Sequence, residues 1–120
     1  MARVLVIDDV PDVLNLWART LSQDGHVVFK AAGFKDGERI LLSEDLDVVV
    51  TDLVFPDGDG LALIALARAV RPRVGILAVS GGSTPGGPRL AQAIAAGADA
   101  TMAKPIRSSD LRSAVARLRK

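Results

Sequence analysis

At 120 residues the chain has the length of one compact domain, and a hydrophobic fraction of 49% is enough to build a core. A net charge of +1, from 15 basic and 14 acidic side chains, argues against holding nucleic acid by bulk charge. The absence of cysteine excludes a disulfide framework and a thiolate metal site.

The first element is the apolar, β-branched run Arg3–Ile7, closed at once by Asp8 and Asp9. It is too short for a signal peptide, and no stretch approaches the roughly 20 apolar residues of a membrane span. The chain therefore reads as cytoplasmic, with no membrane partner. Pro11 suits the first turn of a helix, where its missing N–H costs nothing, and Val13, Leu14, Trp17 and Leu21 form that helix's apolar stripe. Gly25 ends it, and His26 beside it reads as a solvated turn residue. A second strand, Val27–Ala31, leads to a helical segment, Phe34–Ser43. The third strand, Val48–Thr51, runs into Asp52. Asp57 reads as a turn residue and Asp59 as the N-cap of the next helix, on which Leu61, Ile64, Ala65 and Arg68 share a face. A fourth strand, Val74–Val79, ends at Ser80. The Gly/Pro-rich stretch Gly81–Pro88 then reads as a flexible connector or as a mobile loop that responds to events at Ser80. Arg89–Ala96 is helical and stops at Gly97. The fifth strand, Ala100–Ala103, ends at Lys104, and Leu111, Ala114, Val115 and Leu118 mark a last helix. Arg117, Arg119 and Lys120 lie at its C-terminal end, where cations suit the helix dipole.

Strands that alternate with helices, and are continuously apolar rather than patterned, belong to a parallel sheet covered on both faces. The expected fold is α/β, a doubly wound (βα)5 flavodoxin-like domain with strand order 2-1-3-4-5. The chain shows no internal repeat and no linker, so residues 1–120 read as one domain.

The polar residues fall where such a fold binds ligands, beyond the carboxyl ends of the strands. Asp8 and Asp9 end the first strand, Asp52 the third, Ser80 the fourth and Lys104 the fifth. Each has a plain alternative. Asp8 and Asp9 could be an acidic helix N-terminus, Asp52 a turn residue, Ser80 a loop residue and Lys104 a solvated lysine. Their joint placement on one edge, with complementary charge, favours a site. Three carboxylates brought together repel unless some protonate or a cation sits among them. Oxygen-only ligands suit a hard cation such as Mg²⁺. A carboxylate can also act as a nucleophile and form an aspartyl phosphate. Lys104 and Mg²⁺ would then neutralise the phosphoryl oxygens, and the Ser80 hydroxyl would hydrogen-bond one of them.

Val4-Leu5-Val6-Ile7-Asp8-Asp9, Thr51-Asp52 with Phe55-Pro56 and Asp59-Gly60, Val79-Ser80, and Gly97-Ala98-Asp99 ahead of Lys104-Pro105 occur in this order. Together they resemble a response-regulator receiver domain over essentially the whole chain. The resemblance implies that Asp52 is the phosphoacceptor. It makes Asp9 a direct Mg²⁺ ligand, has Asp8 act through water, and has the Val54 backbone carbonyl complete the protein's share of the shell. Ser80 and Lys104 are implied to meet the phosphoryl group, and Lys104–Pro105 is implied to be a cis peptide. The family's switch aromatic corresponds to Thr101, which cannot swing a ring, so coupling from Ser80 to an output surface should be weaker or different. Val54 and Gly82 stand where the family modulates dephosphorylation, and neither side chain can hydrogen-bond water, which implies a slow self-dephosphorylation.

The implied partners are a histidine kinase or phosphotransfer protein as donor and a downstream protein as target, with no direct contact to nucleic acid. A free-standing regulator is the first reading. A phosphorelay intermediate or phosphate sink comes next, and then a receiver cut from a hybrid kinase or transcription factor. The chain is not expected to be a turnover enzyme. A phosphatase of haloacid-dehalogenase type would want Asp-x-Asp after the first strand, where this chain has Asp8-Asp9-Val10. A flavin carrier of the same fold would want a phosphate loop there, and Asp8 and Asp9 would repel the flavin phosphate. Asp57 and Asp59 lack the third acid and the spaced Glu of a calcium loop, and Trp17 reads as packing.

Overall fold

The computed structural model describes residues 1–81 and 88–119. The chain runs β1 (Arg3–Ile7), α1 (Pro11–Gln23), β2 (Val27–Ala31), α2 (Phe34–Ser43) and β3 (Val48–Asp52). A short pair follows, β4 (Val54–Phe55) and β5 (Gly58–Asp59). The rest is α3 (Gly60–Val70), β6 (Gly75–Ser80), α4 (Pro88–Ala96), β7 (Ala100–Ala103) and α5 (Ser108–Leu118). The main sheet has the order β2-β1-β3-β6-β7, with every neighbouring pair parallel. The two-residue pair β4–β5 stands apart as a tight antiparallel hairpin. Leaving that hairpin out of the count, the sheet has the expected order 2-1-3-4-5. Among the described residues no helix is long and apolar enough to cross a membrane.

The continuous apolar strands serve two cores at once, because successive side chains point to opposite faces. Leu5, Ile7, Val49, Ile76 and Ala78 pack on one face with Ile40 and Leu41 of α2, Leu63 and Ile64 of α3 and Leu90 of α4. Val4, Val6, Val48, Val50, Leu77 and Val79 pack on the other with Trp17 and Leu21 of α1 and Leu111 and Val115 of α5. Pro11 opens α1 as expected. Gly25 (φ 87°) and Gly97 (φ 127°) adopt the left-handed backbone that ends α1 and α4. Asp59 caps α3, accepting the Leu61 N–H at 2.9 Å.

Three local readings need correction. The α3 face toward the core is Leu63, Ile64 and Ala67, whereas Ala65 is exposed. Arg68 is a clamp rather than a stripe member: its guanidinium donates to the carbonyls of Gly97, Pro72 and Val74 and to Asp99. His26 is buried at 9% exposure, not solvated, and its Nδ1 accepts the Ala2 N–H at 2.9 Å. Asp57 is more than a turn residue, since it binds the start of α2 from a distance. The expected loop reading at residues 82–87 lies outside the described residues.

Candidate functional site

The parallel sheet delivers the strand-end residues to one edge. Asp8, Asp9 and Asp52 each bring a carboxylate oxygen within 4.8 Å of the others. Asp8 is fully buried, Asp52 is 8% exposed, and Asp9 faces solvent. The Asp8 Oδ1 accepts the Val10 N–H at 2.8 Å, which bends the chain from β1 into α1. Asp52 Oδ1 accepts the N–H of the next residue, Leu53, at 2.7 Å.

Lys104 enters from the end of β7. Its Nζ lies 2.5 Å from Asp8 Oδ2 and 3.0 Å from Asp52 Oδ2. The backbone is held there by the Lys104 N–H, which donates to the Ser80 carbonyl at 3.0 Å, and Lys104–Pro105 is cis. The Trp17 ring centroid is 5.6 Å from Nζ, a distance at which the ring face attracts a cation. Burial pushes the Lys104 ammonium toward the neutral form. Hydrogen bonds to Asp8 and Asp52 more than reverse this, so its pKa stands above the ordinary lysine value.

Ser80 is buried at the last position of β6, opposite Ala103 of β7. Val54 has an exposed side chain and sits at the start of the hairpin. Thr101 is half-buried on β7, paired in register with Ala78. Gly82 lies outside the described residues.

Three carboxylates against one ammonium leave the cluster two charges negative if all are ionised. The donor set is oxygen only, so it fits a hard divalent cation, with Asp9 open to solvent and to the ion's remaining waters.

One further contributor escaped the sequence reading. Arg89, on the first turn of α4, donates to the Leu53 carbonyl at 3.2 Å. That carbonyl also accepts the Gly60 N–H at 2.9 Å. Gly60 is required there, since a Cβ would stand 2.6 Å from the Asp52 carbonyl oxygen. The motif Gly97-Ala98-Asp99 has a structural role, because Asp99 accepts both the Ile76 N–H and the Arg68 guanidinium.

Fold and site define a doubly wound α/β protein with an acid–lysine cluster at the carboxyl edge of its sheet. The family model of the response regulator receiver domain matches residues 4–116, and the chain belongs to that family, a signalling module of two-component systems. The chain is 30% identical over 115 residues to the response regulator protein PilR of Pseudomonas aeruginosa, covering 95% of this chain and 25% of that protein. A receiver domain protein (CheY-like) from Methanospirillum hungatei superposes with a TM-score of 0.90 at 26% identity, over 98% of this chain and 92% of that one. A response regulator from Burkholderia pseudomallei, solved with a phosphorylated aspartic acid, calcium ion and citrate, gives 0.87 at 28% identity, over 96% and 66%. The chain spans 19% to 27% of the length of the first curated relatives it matches.

Proposed function

We propose that residues 1–120 form one receiver domain that works in the cytoplasm and accepts a phosphoryl group on Asp52 from a histidine kinase or phosphotransfer protein. The observation that carries this reading is the position of the Asp52 carboxylate. It is held between the Leu53 N–H and the Lys104 ammonium, beside Asp8 and Asp9. A free Asp52 oxygen electron pair attacks phosphorus, and the bond from phosphorus to the donor's nitrogen or oxygen breaks with its electrons leaving on the donor. Lys104 stays protonated and offers positive charge to the phosphoryl oxygens. Ser80, at the neighbouring strand end, offers a hydroxyl. Asp9, Asp8 through water, Asp52 and the Val54 carbonyl would hold Mg²⁺. When bound, that ion supplies charge neutralisation for the transferring group. The chain's output is then contact with a protein target, with phosphorylation shifting an equilibrium between two conformations.

Trp17, the only tryptophan, is a built-in reporter because Lys104 lies against it. Its fluorescence should respond saturably to Mg²⁺ and change again when acetyl phosphate is added. The Asp52→Asn variant should lack the second change. A wild-type protein that binds Mg²⁺ but shows no response to acetyl phosphate would contradict the reading.

A further inference from the structure

Helix α2 lacks a cap of its own: its N-cap residue is Gly33, which has no side chain to offer. The missing acceptors come from Asp57, 23 residues beyond Phe34, at the tip of the β4–β5 hairpin. Its Oδ1 accepts the Phe34 N–H at 2.8 Å and its Oδ2 the Lys35 N–H at 3.1 Å. Those bonds hold the Asp57 carboxyl below the usual carboxylate range.

Two glycines fit the two parts together. A Cβ on Gly33 would stand 2.9 Å from Asp57 Oδ1, and a Cβ on Gly58 would stand 2.4 Å from Cγ of Phe34. The hairpin tip and the start of α2 therefore interlock from both sides. The same hairpin begins at Val54, which pairs with Asp59, two residues from the tip. A hollow of about 450 Å³ between the two parts is lined by Asp9, Lys35, Pro56 and Asp57. Asp57 thus shares that hollow with Asp9 of the acidic cluster and with Asp36. Its two oxygens are engaged on backbone N–H groups, and it is not one of the three that converge.

We propose that Asp57 is a positioning residue for the cation site, a clamp that fixes the β4–β5 hairpin, and with it the Val54 carbonyl, against the N-terminus of α2. The inference rests on the proposed reading of the Asp8–Asp9–Asp52 site. Groups that orient metal ligands without touching the ion commonly change metal affinity by about 10- to 100-fold when they are removed.

The test is the Mg²⁺ affinity of the full chain by titration calorimetry, for the wild type, Asp57→Ala, Asp57→Asn, Gly33→Ala and the Gly33→Ala/Asp57→Ala double variant. Gly33 has an extended backbone (φ −171°), so alanine there strains nothing except the contact with Asp57. Asp57→Ala should weaken Mg²⁺ binding about tenfold. Gly33→Ala should shift it in the same direction, and Asp57→Asn, which keeps one acceptor oxygen, should recover part of the loss. The double variant should be no worse than Asp57→Ala alone, because both changes break one contact. A lower melting temperature with wild-type Mg²⁺ affinity in the folded variants would overturn the proposal, as would additive losses in the double variant. Should Asp57→Ala not fold, Gly33→Ala decides: unchanged affinity there overturns the clamp. A wild type that binds no Mg²⁺ overturns the reading of the site itself, and the clamp with it.

Discussion

Lys104 is the residue on which the charge balance of the site turns. It is the partner of a fully buried Asp8 and of Asp52. Removing one member of a buried pair leaves the other uncompensated, which costs about 3–5 kcal/mol when burial is complete. Lys104 keeps 19% side-chain exposure, so Lys104→Met should destabilise the Mg²⁺-free protein by about 2 kcal/mol. Added Mg²⁺ should restore much of that in urea unfolding, and a variant as stable as wild type without Mg²⁺ would contradict the pairing. The exposed, apolar Val54 side chain gives an attacking water no hydrogen-bond partner. The phosphorylated protein should therefore keep its label well beyond seconds, and Val54→Asn should shorten its lifetime. Loss of label within seconds in the wild type would contradict this. His26 is a residue whose role the sequence hid. Its partner is the Ala2 backbone, 24 residues away, and no local pattern announces such a contact. Burial lowers its pKa, with Asp24 opposing and the N-terminus and Arg119 adding to the effect. A neutral His26 in the folded state and an ordinary value near 6.5 in the unfolded chain mean that the unfolded state binds the proton first. Stability should be full above pH about 6.5 and fall as the pH drops through the lowered native value. His26→Gln should flatten that slope in pH-dependent unfolding curves, and an unchanged slope would show that His26 is not its source.

At the scale of elements, strands and caps were legible and helix faces less so. β1, β2, β7 and α2 begin and end at the expected residues, and β1 and β7 are closed by Asp8 and Lys104, charged residues that follow apolar runs. The Asp59 cap belongs to the same category, and Asp59→Ala should cost about 1 kcal/mol of stability, read by chemical denaturation. The face of α3 was misread because its sequence, from Gly60 to Val70, is apolar nearly all round. Periodicity then gives no direction, and packing against α2 and α4 selects Leu63, Ile64 and Ala67. Asp57 shows the same limit from the other side. Its sequence neighbourhood specifies a turn, but only the tertiary fold places it at the N-terminus of α2, where backbone N–H groups favour an anion.

For the molecule as a whole, the parallel order β2-β1-β3-β6-β7 converts a scattered set of residues into one site. Asp8, Asp52, Ser80 and Lys104 could be picked out of the sequence because a doubly wound sheet gathers strand ends on one edge. Arg89 could not, since it reaches Leu53 from a helix rather than from a strand end. Binding of Mg²⁺ at the proposed site also predicts that stability, read by chemical denaturation, rises as RT ln(1 + [Mg²⁺]/Kd), about 2.7 kcal/mol at a hundredfold excess over Kd. Phosphoryl transfer to Asp52 is read by intact mass spectrometry after incubation with acetyl phosphate. Wild-type protein with Mg²⁺ should gain one phosphoryl group, and it should gain none without Mg²⁺ or in the Asp52→Asn variant. An adduct that forms equally well without Asp52, or none on a folded wild type saturated with Mg²⁺, would rule out Asp52 as the phosphoacceptor.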